Sequence, residues 1–340
     1  MSYDPYEQQF LLSQALSGKI KVNVQPTPAL QAWLDLKFGM MLSFGINTFN
    51  DCEWSDGTLD PATFNPTALD TDQWCAAAKS AGINFMLLTT KHHDGFCLWP
   101  TRWTDYSVQH TPWAKRYGHD GDVVGALAES CRRYGIKLAL YYSLWDRHER
   151  SYENDHGYAI YMKRQLAELL TRYGPVAELW FDGGWKKGGV HRQDETRWFW
   201  REIYEHIKTL QPECVVGNNG TTERPGEIIM YPRDFRIGEK HLPTEKDRKI
   251  YYCGGLGDWL GYESDYTLTA PTGKGRFPDG NWFWHADDQS VREPQWVVDQ
   301  LQACNQHGGV FVINAGPTQQ GLLREVDVAC LKEVGRLRGV

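Results

Sequence analysis

Short apolar runs alternate with amphipathic stretches along most of the chain. The apolar runs have the length of strands that are buried on both faces. They predict strands over Phe38–Phe44, Phe85–Thr90, Lys137–Ser143, Ala177–Phe181, Cys214–Gly217, Ile250–Cys253, Trp282–His285 and Val310–Asn314. Capping and stop residues delimit the segments between them. These segments predict helices over Asp72–Ser80, Asp122–Tyr134, His156–Arg172, Glu195–Leu210 and Pro294–Asn305.

This alternation predicts an α/β protein with a parallel sheet and helices outside it. About eight strands in a chain of this length favour a closed (β/α)8 barrel of the TIM type over an open sheet. An open doubly wound sheet is expected to have a glycine-rich turn after its first strand, but here Phe44-Gly45-Ile46-Asn47 leads into a long loop. We expect residues 1–37 to be a helical lead-in packed on the barrel and residues 38–340 to be one barrel domain.

Two long segments, Asn218–Lys249 and Tyr262–Val291, are mostly irregular in pattern. Loops of this length are rare in compact domains unless they have a function. In barrels, the loops that follow the carboxyl ends of the strands build the active site. We therefore expect the site at these strand ends.

Charge and composition exclude several classes of protein. The net charge is −7 and no basic stripe is present, which argues against nucleic-acid binding. No apolar run approaches the roughly 20 residues needed to span a membrane. The N-terminus has no basic and apolar blocks typical of a secretory signal, and the eight cysteines contain no C-x-x-C pair. We therefore expect reduced thiols and a cytoplasmic location. No interface between subunits is identifiable from the sequence.

Aromatic residues are abundant, with 15 Trp, 17 Tyr and 13 Phe, and many stand beside Gly, Asp or His. A large core and packed loops account for most of them. Aromatic rings beside polar groups are also typical of carbohydrate sites, because the C–H faces of sugars stack on rings. Composition alone leaves both interpretations open.

Asp182 is the most informative polar residue at a predicted strand end. It follows an apolar run and is bracketed by Phe181 and Gly183-Gly184, which let a substrate approach the backbone closely. A carboxylate there would lie at the mouth of the barrel between partly dry walls. The alternative is an aspartate that caps a turn or the next helix.

His92 and His93 follow the second predicted strand. Metal-binding barrels tend to present histidines two positions apart, because alternate strand residues face the same side. Adjacent histidines therefore chelate poorly, and we favour hydrogen bonds to a ligand hydroxyl or to the catalytic carboxylate. A purely structural pair remains the alternative.

Glycosidase chemistry at Asp182 requires a second carboxyl group. The long loop offers Glu223, Glu227, Asp234 and Glu239, although a solvated charged loop is an equally ordinary explanation of Arg233–Lys240. The chain has no G-x-S-x-G elbow, so serine-hydrolase chemistry is not supported.

Five motifs occur in order at the spacing of barrel strands. They are Glu53-Trp54, Lys91-His92-His93-Asp94-Gly95-Phe96, Tyr141-Tyr142-Ser143, Leu179-Trp180-Phe181-Asp182-Gly183 and Asn314-Ala315-Gly316-Pro317-Thr318. With these motifs, the sequence resembles the α-L-fucosidases of glycoside hydrolase family 29 from about Phe38 to the C-terminal helix.

The resemblance implies a retaining glycosidase that acts on terminal α-L-fucosides and needs no metal or organic cofactor. Asp182 matches the nucleophile, and Glu239 is the first choice for the acid/base, with Glu53 the second. The positions that match the family's sugar pocket are Trp54, His92, His93 and Tyr142. Trp54, Trp180 and Trp185 are candidates for apolar walls that raise the pKa of the acid.

Three features depart from the family pattern. Ser43 stands where the first strand usually ends in a sugar-binding histidine, which leaves a water or room for a different substituent. Ile250-Tyr251 aligns with a W-E block, so that glutamate is missing. We also expect no C-terminal β-sandwich. A relative acting on another sugar, a transglycosylase and a non-catalytic sugar-binding homologue are the alternatives.

Overall fold

Eight parallel strands close into a barrel in the computed structural model of the protein. The structure describes residues 25–184, 187, 197–219, 230–244, 247, 250–253, 256–273 and 276–340. In order around the barrel the strands are β1 (Phe38–Leu42), β2 (Phe85–Lys91), β3 (Lys137–Ser143), β4 (Val176–Asp182), β5 (Val215–Asn218), β6 (Phe235–Glu239), β9 (Gly261–Thr267) and β10 (Val310–Asn314). The predicted closed (β/α)8 barrel is confirmed.

Helices surround the barrel in the described part of the chain. They are α1 (Pro28–Leu34), α2 (Ile46–Phe49), α3 (Thr71–Ser80), α4 (Pro112–Tyr117), α5 (Val123–Tyr134), α6 (Asp155–Arg172), α7 (Trp200–Leu210), α8 (Pro294–Gln306) and α9 (Glu325–Arg338). Short 3-10 turns cover Pro61–Thr63, Val108–His110, His119–Gly121 and Arg150–Glu153. Of the predicted helix Glu195–Leu210, the structure describes residues 197–210, which form a turn followed by a helix from Trp200.

Side-chain caps begin several of these helices where the sequence predicts their first turns. Asp70 Oδ1 accepts a hydrogen bond from Gln73 N at 2.9 Å at the start of α3, and Asp122 Oδ1 accepts one from Gly125 N at 2.8 Å at the start of α5. Each cap satisfies a backbone N–H that has no partner within the helix. These caps therefore explain why the two helix starts were predictable.

Two of the predicted barrel strands are wrong. Ile250–Cys253 is β7, which pairs antiparallel with β8 (Leu256–Trp259) in a separate two-stranded sheet. Trp282–His285 lies in an irregular segment. The sixth and seventh barrel strands are instead β6 and β9, whose charged residues made them resemble loops.

The barrel interior is filled from both ends by large side chains. A Cβ on Gly39 would lie 2.2 Å from the ring of Phe85, so glycine in β1 leaves space for that ring. At the amino-terminal end, Trp33 of α1 stacks on Phe235 with ring centroids 4.5 Å apart. Helix α1 therefore packs against the bottom of the barrel; residues 1–24 of the predicted lead-in lie outside the described residues.

Two further features bear on the expected class of protein. The seven cysteines whose side chains the structure describes are free thiols, all of them buried or partly buried. In the part of the chain that the structure describes, no helix combines the length and apolar character needed to cross a membrane.

Candidate active site

A cavity of about 310 Å³ opens at the carboxyl ends of the barrel strands. Most of the residues predicted for the site line it, namely Ser43, Glu53, Trp54, His92, His93, Trp180, Asp182 and Glu239. Residues not predicted for the site also line it: Met41, Thr89, Tyr141, Asp265, Phe277 and Trp282. The structure therefore brings most of the candidate residues into one sugar-sized space. Trp185 and the loop candidates Glu223 and Glu227 lie outside the described residues.

Asp182 is the last residue of β4, and its carboxylate faces the cavity. Tyr141 Oη donates a hydrogen bond to Asp182 Oδ2 at 2.6 Å, while Gly183 N and Asn219 Nδ2 donate to Oδ1 at 2.8 and 3.2 Å. His93 Nε2 lies 3.5 Å from Oδ2. Several donors thus orient this carboxylate toward the cavity, and it caps no helix among the described residues.

Opposing effects act on the pKa of Asp182. Burial and the neighbouring charge of Glu239 raise this pKa, and the hydrogen bonds from Tyr141, Gly183 and Asn219 lower it. The net effect of all of them is a pKa of about 7. Without these donors, the carboxyl group would hold its proton to still higher pH. The donors therefore favour the ionised form that a nucleophile needs.

Glu239 ends β6, which β5 separates from β4, and it also lines the cavity. Burial is the largest effect on its carboxyl group and raises its pKa above the usual value. Asn219 Nδ2 donates to Glu239 Oε2 at 2.9 Å, and the same nitrogen lies 3.2 Å from Asp182 Oδ1. One amide nitrogen thus contacts both carboxyl groups.

Glu53 is held by donors from the loop that follows β9. Its Oε1 accepts hydrogen bonds from Trp282 N at 3.1 Å and Phe283 N at 3.2 Å, and lies 3.0 Å from His285 Nε2. His285 Nδ1 in turn lies 2.9 Å from Asp51 Oδ1. Contact with Glu53 raises the pKa of His285, which favours the imidazolium form. Burial raises the pKa of Glu53, and these donors oppose that rise.

His92 and His93 both line the cavity, although adjacent strand residues face opposite ways. Strand β2 ends at Lys91, so strand alternation does not apply to the two histidines, whose ring centroids lie 4.2 Å apart. Burial lowers the pKa of His92 to about 3, so its imidazole is neutral. His93 Nδ1 lies 2.7 Å from Ser143 Oγ. No cluster of metal-ligating side chains occurs among the described residues.

Tyr142 does not line the cavity, and the structure corrects that assignment to Tyr141. Side chains in β3 alternate, so Tyr141 faces the barrel interior and Tyr142 faces the surrounding helices. Tyr142 Oη donates to Gln165 Oε1 of α6 at 2.7 Å and accepts from Lys91 Nζ at 3.1 Å. The alternation of side chains along β3 predicts that Tyr141, rather than Tyr142, faces the cavity.

Ser43 forms a hydrogen bond to the last barrel strand. Its Oγ donates to Asn314 Oδ1 at 2.8 Å, and Asn314 Nδ2 donates to the carbonyl oxygen of Trp282 at 2.7 Å. Trp54 stands edge-on to His93 with ring centroids 5.1 Å apart, and the guanidinium of Arg276 lies 3.8 Å from the centre of its ring. Ser43 and Trp54 therefore belong to walls of the cavity that other residues hold in place.

Asp265 is a fourth carboxyl group at the cavity, beside Asp182, Glu239 and Glu53, and the sequence did not predict it. It pairs with Glu239 in the register of β6 and β9, and neither carboxylate oxygen has a hydrogen-bond partner among the described residues. Burial, then the charges of Glu239 and Asp182, raise its pKa well above the usual range. Alternation of Glu263 and Asp265 in β9 is the signal that could have revealed an inward-facing carboxylate pair.

A closed barrel with a pair of carboxyl groups at its mouth is an arrangement that fits glycoside hydrolases. The sequence profile described as Alpha-L-fucosidase matches residues 16–338. The chain therefore belongs to the α-L-fucosidase family.

Relatives are similar along most of this chain. Alpha-L-fucosidase 1 of Arabidopsis thaliana is 34% identical over 325 residues, which cover 93% of this chain and 61% of the plant protein. The tissue alpha-L-fucosidase of Homo sapiens is 24% identical over 278 residues, covering 78% of this chain and 52% of the human protein. The chain thus spans between half and two thirds of the length of these relatives.

Solved structures agree with the fold. The alpha-L-fucosidase isoenzyme 1 from Paenibacillus thiaminolyticus superposes with a TM-score of 0.73 at 27% identity, covering 92% of this chain and 75% of that one. A glycoside hydrolase 29 family member from a rumen bacterium gives a TM-score of 0.74 at 28% identity, covering 92% of this chain and 57% of that one.

Proposed function

We propose that the protein is a retaining exo-glycosidase that hydrolyses terminal α-L-fucosides. The observation that carries this proposal is the contact of Asn219 Nδ2 with both Asp182 Oδ1 and Glu239 Oε2. A donor shared by the two carboxyl groups keeps them close together, which favours the separation of roughly 5–5.5 Å in retaining enzymes over the roughly 6.5–9.5 Å in inverting ones.

In the first step, an Asp182 oxygen attacks the anomeric carbon while the bond from that carbon to the leaving oxygen breaks. Glu239 gives its proton to the leaving oxygen, and Asp182 becomes an ester of the sugar. In the second step, Glu239 takes a proton from water, whose oxygen attacks the anomeric carbon. The ester bond breaks, so Asp182 is again a carboxylate and Glu239 again carries its proton.

The pair can begin this cycle with one proton between its members. Burial raises the pKa of both carboxyl groups, and the charge of Glu239 raises that of Asp182 further. A protonated Glu239 removes that repulsion, so Asp182 can ionise with the help of the donors from Tyr141, Gly183 and Asn219. The larger number of donors at Asp182 supports a charge on Asp182 and a proton on Glu239.

Glu53 is assigned to binding sugar hydroxyl groups. Glu53 Oε1 already accepts hydrogen bonds from two backbone N–H groups and lies within hydrogen-bond distance of the His285 ring. A carboxylate stabilised in that way is better suited to accept hydrogen bonds than to give up a proton. We therefore prefer Glu239 over Glu53 as the acid/base. The neutral imidazole of His92 and the rings of Trp54 and Trp180 complete the proposed sugar site.

A second candidate is hydrolysis of a different sugar of related stereochemistry, and Ser43 favours it. Its short side chain is hydrogen-bonded to Asn314 and occupies less space than an imidazole. A panel of 4-nitrophenyl glycosides separates the two candidates: α-L-fucoside as the best substrate supports the first, and another glycoside supports the second. Transglycosylation would appear as a new glycoside when an acceptor sugar is added. The cytoplasmic location stays a prediction.

Turnover of 4-nitrophenyl α-L-fucoside with proton NMR of the first-formed sugar tests the reaction itself. We expect the α-anomer to appear first with the parent protein and no turnover with Asp182→Asn. First appearance of the β-anomer would contradict the retaining mechanism. Binding of fucose without turnover by the parent protein would favour a sugar-binding homologue.

A further inference from the structure

We propose that Glu178 and Glu263 share one proton in the barrel interior and, with Trp33, form a hydrogen-bonded bridge that positions Trp180. Trp180 lines the cavity, so these three residues act through it and are positioning residues. The kinetic part of this inference rests on the proposed function, whereas the shared proton does not.

The bridge crosses the barrel from helix α1 to the floor of the cavity. Trp33 Nε1 donates to Glu178 Oε2 at 2.7 Å, and Trp180 Nε1 donates to Glu263 Oε1 at 2.7 Å. Glu178 and Glu263 have no exposed surface. Each carboxyl group therefore has one oxygen occupied by an indole N–H and one oxygen left over.

The two remaining oxygens are buried and lack a donor. Glu178 Oε1 and Glu263 Oε2 have no hydrogen-bond partner within the described ranges, and the two carboxyl groups are close enough to hydrogen-bond to each other when one of them carries a proton. A hydrogen bond between two carboxyl groups needs a proton, because two carboxylates offer only acceptors. Two buried negative charges in contact would also repel strongly. Burial raises the pKa of Glu178 to about 7 and that of Glu263 well above its usual range.

The far end of the bridge reaches the nucleophile. The indole of Trp180 stacks on the ring of Tyr141 with centroids 5.1 Å apart and an interplanar angle of 19°. Tyr141 Oη donates to Asp182 Oδ2 at 2.6 Å. A shift of Trp180 would therefore move the phenol that orients Asp182, and small misplacements of reacting groups cost much activity.

Glutamine substitutions test the shared proton because an amide has one acceptor and one donor end. In Glu178→Gln, the amide oxygen accepts from Trp33 and the amide nitrogen donates to Glu263, which replaces the proton. Glu263→Gln does the same in the opposite direction. In the double variant both oxygens face the indoles, so two amide nitrogens face each other with no acceptor between them.

We expect each single variant to keep the parent's midpoint of thermal unfolding and its kcat. The double variant should unfold at a clearly lower temperature than the sum of the single effects predicts. An additive double variant would overturn the shared proton. Infrared difference spectra between the parent protein and Glu178→Gln give an independent test: the carbonyl band of one protonated carboxyl group should be lost, and a difference spectrum without that loss would overturn the proposal.

The positioning role is tested by kinetics on 4-nitrophenyl α-L-fucoside. We expect kcat of the folded double variant to fall about ten- to hundredfold with a smaller change in KM. Trp33→Phe keeps an aromatic ring but removes the indole N–H, so it should also lower kcat. This variant replaces the double variant in the test if the double variant does not fold. An unchanged kcat in a folded variant would overturn the positioning role. If the parent protein does not turn over the fucoside, the proposed function fails, while the unfolding and infrared results still decide the shared proton.

Discussion

Asp182 and Glu239 are two carboxyl groups of similar chemistry that their surroundings distinguish. Asp182 receives hydrogen bonds from a phenol, a backbone amide and an asparagine, whereas the described contacts give Glu239 one side-chain donor, Asn219. Donors stabilise the ionised form and burial stabilises the neutral form. The number of donors at each carboxyl group is therefore what supports the assignment of nucleophile and acid.

Replacing Tyr141 by Phe should shift the acidic limb of the pH profile of kcat/KM to higher pH. Tyr141 Oη lowers the pKa of Asp182, so its loss raises that pKa, and Asp182 is ionised only at higher pH. Hydrogen bonds to charged groups contribute about 1.5–3 kcal/mol, so kcat/KM below the parent's limb should fall roughly ten- to hundredfold. Tyr142→Phe is the matched control, because Tyr142 lies outside the cavity. Equal shifts in both variants would rule out a specific effect on Asp182.

Glu239→Ala and Glu53→Ala should respond differently to the leaving group. An acid matters most when the leaving oxygen is strongly basic, so Glu239→Ala should be slow on poor leaving groups and nearly normal on activated aryl fucosides. Glu53→Ala should lose activity by a similar factor on all of them, since its proposed contacts are to the sugar. The measurement is kcat/KM across aryl α-L-fucosides of different leaving-group pKa. The opposite pattern would exchange the two roles.

At the scale of elements, a buried ion pair joins the end of β2 to the loop after β3. Lys91 Nζ lies 2.8 Å from Asp146 Oδ2 and donates to the hydroxyl groups of Tyr142 and Tyr158 at 3.1 Å. Lys91 and Asp146 are almost fully shielded from solvent. This pair holds the strand end that presents His92 and His93 to the cavity.

Lys91→Met should lower the free energy of unfolding by about 3–5 kcal/mol, because it leaves Asp146 buried without its cation. Lys163→Met is the control, since Lys163 and Glu202 form a partly exposed pair at 3.0 Å. Such pairs contribute about 0–1 kcal/mol. Urea unfolding measures both, and losses of equal size in the two variants would contradict a special role of the buried pair.

Strands that are continuous apolar runs were predictable from the sequence. Strands that carry charged side chains toward the barrel interior were not. The apolar runs of β1 to β5 and β10 indicated strands because both faces of these strands are buried. Strand β9 carries Glu263 and Asp265 toward the barrel interior, so hydrophobicity gave no strand signal there. The strand-end residues of the site followed from the motifs, but Asn219 and Asp265 depend on contacts between strands distant in sequence.

At the scale of the whole molecule, the buried carboxyl groups oppose stability at neutral pH. Burial raises the pKa of Asp182 and Glu178 to about 7 and that of Asp94 to about 6. The folded state therefore holds protons that the unfolded state releases from about pH 4 upward. The contribution of these groups to the free energy of unfolding is therefore most favourable at low pH, and it is lost as the pH rises through their folded-state pKa values.

Asp182→Asn should therefore be more stable than the parent protein, and the gain should grow with pH. Below about pH 4 the aspartate is protonated in both states and no gain from charge is expected. At about pH 8 the parent buries a charge that the variant lacks, and the shift of the pKa sets an upper limit of about 4 kcal/mol. Urea unfolding at several pH values measures the difference, and a gain independent of pH would contradict burial of an ionised Asp182.

Covalent trapping tests the central claim most directly. A 2-fluoro-α-L-fucosyl fluoride slows both steps but the second more, so the glycosyl-enzyme accumulates and can be digested and mapped by mass spectrometry. We expect one added deoxyfluorofucosyl group on the peptide that contains Asp182, and none in Asp182→Asn. A label on a different residue, or an active parent protein that never becomes labelled, would contradict the assignment of Asp182 as the nucleophile.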